Sequence, residues 1–526
     1  MKPFDAEGRF APVVPNAGGS LRRLAVRSAG MTIFSGAMGI GIQIVAAATL
    51  SRLLTPRDFG LVAMVTTFSY LLMNGPANGF FDLIVQGHEL TEELASALFW
   101  INFLLAIILS AAFALAGPLM GWFYHERLVA GVAAGISVAV LLTCLPTLHV
   151  ALLKRAMRFT GVAKNDIVAR AVGVLTSIAF AIAGWSYWSL VMGACALALS
   201  TAIGAWFMCP WVPRLPRRVP GIRDAIRFTS HITGRYSINY FARNADNLLV
   251  GWRFGAHSLG FYKKAYDLFA LPANQLVSAT SNVAVSALSR VRDDHAQLRR
   301  YLLGAIAVMS LIGMGLAGDL TLIGRDLIRV LLGPGWETSG IIFTYFAPGI
   351  GMMIVYGVHG WIHVSLGHAE RWFRWVIVEW TVILLSFMVG LHWGPQGMAV
   401  AWCVSFWILV VPAMSYAGKP IHLRGRSVFF ILWRYLVASL AASLLIVYGL
   451  KRIPRLDHLG GAGGAALRAA LMTIAFGVLY FALIVVLHGG TQPLQRIARL
   501  VRELMSRKGN RTEEAQTNGT LDEVQA

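Results

Sequence analysis

The densest run of polar and charged residues inside an apolar stretch is Arg235-Tyr236-Ser237-Ile238-Asn239-Tyr240-Phe241-Ala242-Arg243-Asn244-Ala245-Asp246-Asn247. Tyr236, Asn239, Tyr240, Arg243 and Asn247 follow the spacing of one helical face, and Arg235 and Asp246 fall close to it. A charged side chain at the centre of a bilayer costs about 2.5–3.5 kcal/mol on insertion scales, so such a face belongs against a wet cavity. The Arg243 guanidinium can hold a phosphate through two parallel hydrogen bonds, where an ammonium acts only as a point charge. The chemistry this suggests is binding of a phosphate-bearing polar ligand. Two structural alternatives use the same residues: an Arg243–Asp246 pair at i, i+3, and Arg235 reaching from a helix end to the membrane interface.

Other polar groups within apolar stretches are sparser. Asn274 and Gln275 follow Pro272, where a proline frees backbone groups that can help to build a site. Lys263, Lys264 and Asp267 open the same stretch, with the lysines placed to snorkel. Glu379 and Asp82 are isolated carboxylates that could couple a proton or cation to a conformational change, although Glu379 could equally hydrogen-bond within the packing. Gln43 and Asn78 are weaker cavity-lining candidates. Asp166 and Arg170, at i, i+4, fit a helix-surface ion pair. His359 and His363 share a helical face but lack a third ligand, which favours hydrogen-bonded packing over a metal. The four cysteines, Cys144, Cys195, Cys209 and Cys403, lie in apolar stretches without CxxC or Cys/His spacing. No Walker loop, GxSxG elbow or HExxH motif occurs. Nucleotide-driven transport by this chain and hydrolysis are therefore unsupported, and neither cofactor nor metal is expected.

The elements that must position these residues follow from composition. The 526 residues are 57% hydrophobic and 13% charged, with a mean hydropathy of +0.64, against about 25% charged in soluble domains. The chain reads as an all-α polytopic membrane protein. About fourteen windows, the first at 30–50 and the last at 466–488, supply the ~20 apolar residues that a bilayer core requires; the polar run falls in the seventh (227–251), and Asn274 and Gln275 in the eighth (263–288).

A net charge of +20 would suggest nucleic acid in a soluble protein, but here the basic residues lie in short loops between apolar spans. They cluster on alternate loops: Arg22/Arg23/Arg27, Lys154/Arg155/Arg158/Lys164, Arg214/Arg217/Arg218/Arg223/Arg227, Arg290/Arg292/Arg299/Arg300, Lys419/Arg424/Arg426 and the stretch 496–511. The positive-inside rule makes that side cytoplasmic, with both termini on it and no nucleic-acid partner. The acidic loop His88–Glu93 dissents, but acidic residues weigh little in the rule. The first residues lack the pattern of a cleaved signal, and the end of the chain turns polar and acidic, as disordered tails do.

One loop-and-helix unit occurs twice. Arg52-Leu53-Leu54-Thr55-Pro56-Arg57-Asp58-Phe59-Gly60-Leu61 leads into a helix carrying Pro76-Ala77-Asn78, and Arg253-Phe254-Gly255-Ala256-His257-Ser258-Leu259-Gly260-Phe261-Tyr262 into one carrying Pro272-Ala273-Asn274. An even number of spans separates them, so two six-helix sets would share one orientation, as parallel repeats of transporters do.

Leu53–Leu61 and Leu259-Gly260-Phe261-Tyr262, together with Arg243-Asn244-Ala245-Asp246-Asn247-Leu248-Leu249-Val250-Gly251 and Gly184-Trp185-Ser186-Tyr187-Trp188-Ser189-Leu190-Val191, resemble the polysaccharide transporter branch of the MOP superfamily, the Wzx-type flippases for lipid-linked oligosaccharides. The likeness spans about residues 28 to 420. It implies two six-helix lobes and two C-terminal helices: a cytoplasmic segment 1–28, an N-lobe 29–212, a C-lobe 213–420, two further spans within 421–489, and a cytoplasmic tail 490–526. It also implies alternating access in a bacterial inner membrane. The cargo would be an undecaprenyl-pyrophosphate-linked oligosaccharide for exopolysaccharide, capsule or O-antigen assembly, and the partners membrane lipids, a polysaccharide polymerase and a chain-length regulator. Arg243, Asn244, Asp246 and Asn247 match the family string, with Asn239, Arg235, Asn274 and Gln275 as further candidates for binding substrate. Pro76-Ala77-Asn78-Gly79 departs from the Asp-Leu-Gly pattern often found in the second span. A cation-coupled multidrug exporter or a peptidoglycan-precursor flippase of the same superfamily is the alternative within transport. A membrane polymerase or acyltransferase would require a large extracytoplasmic loop, and each such loop here is short.

Overall fold

A computed structural model describes residues 3–10, 20–86, 90–215, 222–450, 461–492 and 495. Within helices, the side chains of several of these residues, including Arg235, Asn239, Arg243 and Asn78, lie outside the description, as do most of the expected cytoplasmic tail and residues 1–2 and 11–19 of the expected N-terminal segment. The described chain is helical: α1 (Ser20–Leu53), α2 (Pro56–Gln86), α3 (Glu92–Tyr124), α4 (Leu128–Cys144), α5 (Thr147–Arg155), α6 (Phe159–Ile182), α7 (Trp188–Met208), α8 (Ile222–Arg290), α9 (His295–Leu332), α10 (Glu337–Tyr356), α11 (Val358–Ser365), α12 (Ala369–Gly390), α13 (Gly394–Gly418), α14 (Gly425–Leu450) and α15 (Gly461–His488). Among the described residues, β-pairing is confined to two isolated bridges, Phe4 with Phe10 and Arg9 with Thr91.

Ten stretches of fully described residues are long and apolar enough to cross a bilayer. The stretch Glu370–Ile421, 52 residues long, has the length for two passes at about 1.5 Å per residue. Large apolar side chains stand on the outside, with Leu115, Phe207 and Val486 exposed by 80%, 87% and 74%. A helix apolar on all sides and exposed in this way is one whose solvent is lipid.

The helices stop and bend where local chemistry requires it. Thr91 caps α3, its hydroxyl accepting from the Leu94 N–H at 3.2 Å. At the other end His125 adopts φ 55° and returns its N–H to the Gly121 and Trp122 carbonyls. Pro146, which has no N–H to give, separates α4 from α5. The expected seventh and eighth spans form one run, α8, broken at Gly255, where φ 77° and ψ 178° belong to a region open in practice only to glycine.

The chain divides into two compact units: Met1–Ala265 with Ile328–Ile342 and Phe387–Ala399, and Tyr266–Leu327 with Phe343–Ser386 and Val400–Ala526. In the first, α6 packs on α7 and α1, α3 on α4, and α2 on α4 and α5. A cluster of Phe99, His149, Trp206 and Trp211 closes one end of it. The N-terminal residues join that cluster: Phe4 lies 5.7 Å from the Trp211 ring, the Phe10 N–H donates to the Leu90 carbonyl at 3.1 Å, and the Glu92 N–H to that of Gly8 at 2.8 Å. In the second unit α14 and α15 pack together and against α9. There Ser439 donates to the Met314 carbonyl at 2.7 Å, Tyr480 to that of Leu311 at 2.8 Å, and Arg468 pairs with Asp326 at 2.5 Å.

Candidate functional site

The two repeated loop-and-helix units meet in the first compact unit. Thr55-Pro56-Arg57-Asp58 starts α2 as a capping box, a pattern legible in sequence from a Thr followed three residues later by an acid. The Asp58 carboxylate accepts from the Thr55 N–H at 2.8 Å and from the Thr55 hydroxyl at 2.7 Å, while the Asp58 N–H donates back to that hydroxyl at 3.4 Å. The second carboxylate oxygen of Asp58 accepts from Ser186, in the Gly184–Val191 string. Gly60 lies against the Ala256 carbonyl and Gly260 against that of Pro56, each so close that a Cβ would overlap the oxygen. The Lys264 ammonium sits 3.8 Å over the Phe59 ring. Ser51 donates to the Leu332 carbonyl at 3.0 Å, the Trp336 indole to that of Ser51 at 2.8 Å, and Ser339 to that of Phe261 at 2.9 Å. The motif strings thus build a clamp of helix ends.

On α8, Asp246 is 1% exposed and Asn247 2%. Tyr262, from the far side of the Gly255 break, donates to Asp246 at 2.9 Å, and the Asn247 N–H donates to the other carboxylate oxygen at 2.8 Å. Asn244 donates to the Tyr240 carbonyl at 3.0 Å. A carboxylate this deep must have donors, and Asp246 draws them from both sides of the break. Asn244, Asp246 and Asn247 are therefore brought together, while the side chains of Arg235, Asn239 and Arg243 lie outside the described residues.

The remaining candidates are dispersed. Asn274 and Gln275 are exposed on α8, which continues helically through Pro272. Asp82 on α2 is half-buried, and Glu379 on α12 is buried. Asp166 and Arg170 form the expected i, i+4 pair at 3.0 Å, about half exposed. His359 and His363 are buried among Tyr356, Trp372 and Tyr416. No group of three or more His, Cys, Asp or Glu able to hold a metal occurs among the described residues. Sequence reasoning missed the largely buried Arg468–Asp326 pair, whose acid and base are 142 residues apart. It also missed a cleft where the α3–α4 connection meets the α8 break: charged and aromatic residues in a loop carry none of the cost that marks them inside a span.

Known proteins agree with this architecture. A profile of the family described as "Polysaccharide biosynthesis protein" matches residues 49–340. The chain is 21% identical over 478 residues to the succinoglycan biosynthesis transport protein ExoT of Rhizobium meliloti, covering 88% of this chain and 93% of ExoT. It is 22% identical over 325 residues to the lipopolysaccharide biosynthesis protein WzxC of Escherichia coli, covering 61% and 65% of the two chains. Its fold is similar to that of the lipid II flippase MurJ in an inward closed conformation, with TM-score 0.67 and 13% identity over 88% of this chain and 98% of MurJ. The chain belongs to the polysaccharide biosynthesis protein family, and it is a multi-pass helical membrane protein whose fold is shared with MurJ.

Proposed function

We propose that this protein flips undecaprenyl-pyrophosphate-linked oligosaccharide units from the cytoplasmic to the periplasmic leaflet of a bacterial inner membrane, by alternating access, for exopolysaccharide, capsule or O-antigen assembly. The observation that carries the reading is the phosphate-competent run Arg235–Asn247 on α8, within the region matched by the family profile. Arg243 and Arg235 counter the pyrophosphate charge, bidentate geometry giving arginine its advantage over lysine. Asn239, Asn244, Asn274 and Gln275 offer donors and acceptors to sugar hydroxyls. Asp246 and Asn247, buried and hydrogen-bonded, act by holding the helix that carries the arginines.

In this reading the chain crosses the membrane fourteen times, with both termini cytoplasmic, in the lobes 29–212 and 213–420 followed by two further spans. Glu379 and Asp82 are the candidates for coupling transport to an ion gradient, and a polymerase and a chain-length regulator receive the product. The test is polysaccharide export in a strain deleted for the gene and complemented with Arg243→Ala at normal membrane abundance. Lipid-linked intermediates are expected to accumulate while export falls, and full export by that variant overturns the assignment.

A further inference from the structure

The cleft at the α3–α4 connection and the α8 break has a volume of ≈ 640 Å³ and is lined by Tyr124, His125, Glu126, Trp252, Arg253 and Gly255, among others. All of them lie in one compact unit. By helix alternation the cleft stands on the face opposite the one reached by the N-terminus of α1. On α8 its lining begins at Trp252, five residues beyond Asn247, the last residue of the polar run that serves the proposed cargo site.

Its walls are fixed by backbone chemistry. His125 holds φ 55° and Gly255 φ 77°. Gly251 brings its chain to the Tyr124 ring, and an added Cβ would stand 3.0 Å from Tyr124 Cε1. Glu126 is held by Arg57 at 2.8 Å. Trp252, 45% exposed, lies nearly parallel to Phe123, with ring centroids 6.5 Å apart at 23°. Arg253 is exposed and has no ion-pair partner among the described residues; its guanidinium lies 6.0 Å from the centroid of Phe254. The Tyr124 side chain is only 3% exposed, and its buried hydroxyl finds no hydrogen-bond partner among the described residues. Such a group normally has one.

We propose that this cleft is a carbohydrate-binding site, which takes a sugar residue of the translocated oligosaccharide on the extracytoplasmic face. A pyranose presents a flat face of C–H groups to an indole, whose π-cloud attracts their partial positive charge. Its rim carries hydroxyls that both donate and accept. The lining of the cleft answers each feature: Trp252 offers the platform, Arg253 donates, Glu126 accepts, and His125 can do either. A purely apolar ligand would strip water from Arg253 and Glu126 without replacing it, and a bare anion would meet the Glu126 carboxylate beside Arg253. The assignment rests on the reading of a glycan cargo, but not on which residues bind the pyrophosphate.

The experiment uses the full-length protein in lipid nanodiscs. The probe is the oligosaccharide mixture released by partial acid hydrolysis of the producing strain's own extracellular polysaccharide, titrated calorimetrically, with sodium phosphate as the competing anion. The wild type binds the oligosaccharides. Trp252→Ala and Arg253→Gln each weaken binding by about tenfold or more at an unchanged melting temperature. Tyr124→Phe, which removes only an unpartnered hydroxyl, also weakens binding without loss of stability. Absence of binding to the wild type, equal binding by Trp252→Ala and Arg253→Gln, or displacement of the sugars by phosphate overturns the proposal. The flippase reading is judged separately by the Arg243→Ala export assay, so a cleft that fails to bind sugar leaves that result intact, and the reverse also holds.

Discussion

Gly60 and Gly260 make reciprocal approaches: Gly60 lies against the carbonyl oxygen of Ala256, and Gly260 against the carbonyl oxygen of Pro56, in each case with no room for a Cβ. Each glycine thus meets the residue four places before its counterpart, so the two repeated units face one another through equivalent atoms. Backbones that pack at this distance need a residue without a side chain.

Gly60→Ala and Gly260→Ala are expected to destabilise the protein by about 2 kcal/mol or more, since the obstructing atom is backbone and cannot swing aside. Gly304→Ala, which meets nothing within 4 Å, is expected to be neutral or to stabilise helix α9 by up to about 1 kcal/mol. Melting temperatures of the purified variants in detergent check the contrast.

Asp58→Ala removes the acceptor shared by the Thr55 N–H, the Thr55 hydroxyl and Ser186. Loss of this cap, with buried donors left unmet, is expected to lower stability by about 1–3 kcal/mol. Ser186→Ala, which removes one donor and leaves the capping box intact, should have the smaller effect in the same assay.

Asp246 and Tyr262 offer a double-mutant cycle across the Gly255 break. Tyr262→Phe should lower the melting temperature by leaving a buried carboxylate with one donor fewer. Combined with Asp246→Leu, it should show a coupling energy of about 0.5–3 kcal/mol. A coupling of zero means that the 2.9 Å contact contributes nothing to holding the two arms of α8.

Arg468 and Asp326 are largely buried and 2.5 Å apart. Removing either partner alone, by Arg468→Met or Asp326→Leu, is expected to be strongly destabilising, by about 3–5 kcal/mol, whereas the double replacement should recover much of that loss. Thermal unfolding of the three variants measures it.

Arg243→Lys keeps the charge but loses the planar fork. Export is expected to fall severalfold, less than in Arg243→Ala, because a point charge cannot reproduce bidentate recognition of phosphate. Quantifying polymer released per cell at matched membrane abundance makes the comparison.

Much of this protein was legible in the sequence because its determinants are local. A bilayer demands long apolar helices whatever their neighbours, and the composition and hydropathy of this chain meet that demand. The Asp166–Arg170 pair is fixed by spacing along one helix. The repeat of Arg52–Leu61 in Arg253–Tyr262 was equally visible as a pattern. Only the tertiary structure decided that the two copies pack on each other through Gly60 and Gly260, that Ser186 completes the cap of Asp58, and that Asp246 is buried against Tyr262. It alone assembled Tyr124, Glu126, Trp252 and Arg253 into one cleft. Hydropathy and helical period act over one or two turns, whereas partners more than a hundred residues apart are chosen by how backbones pack and by which buried groups must then be satisfied.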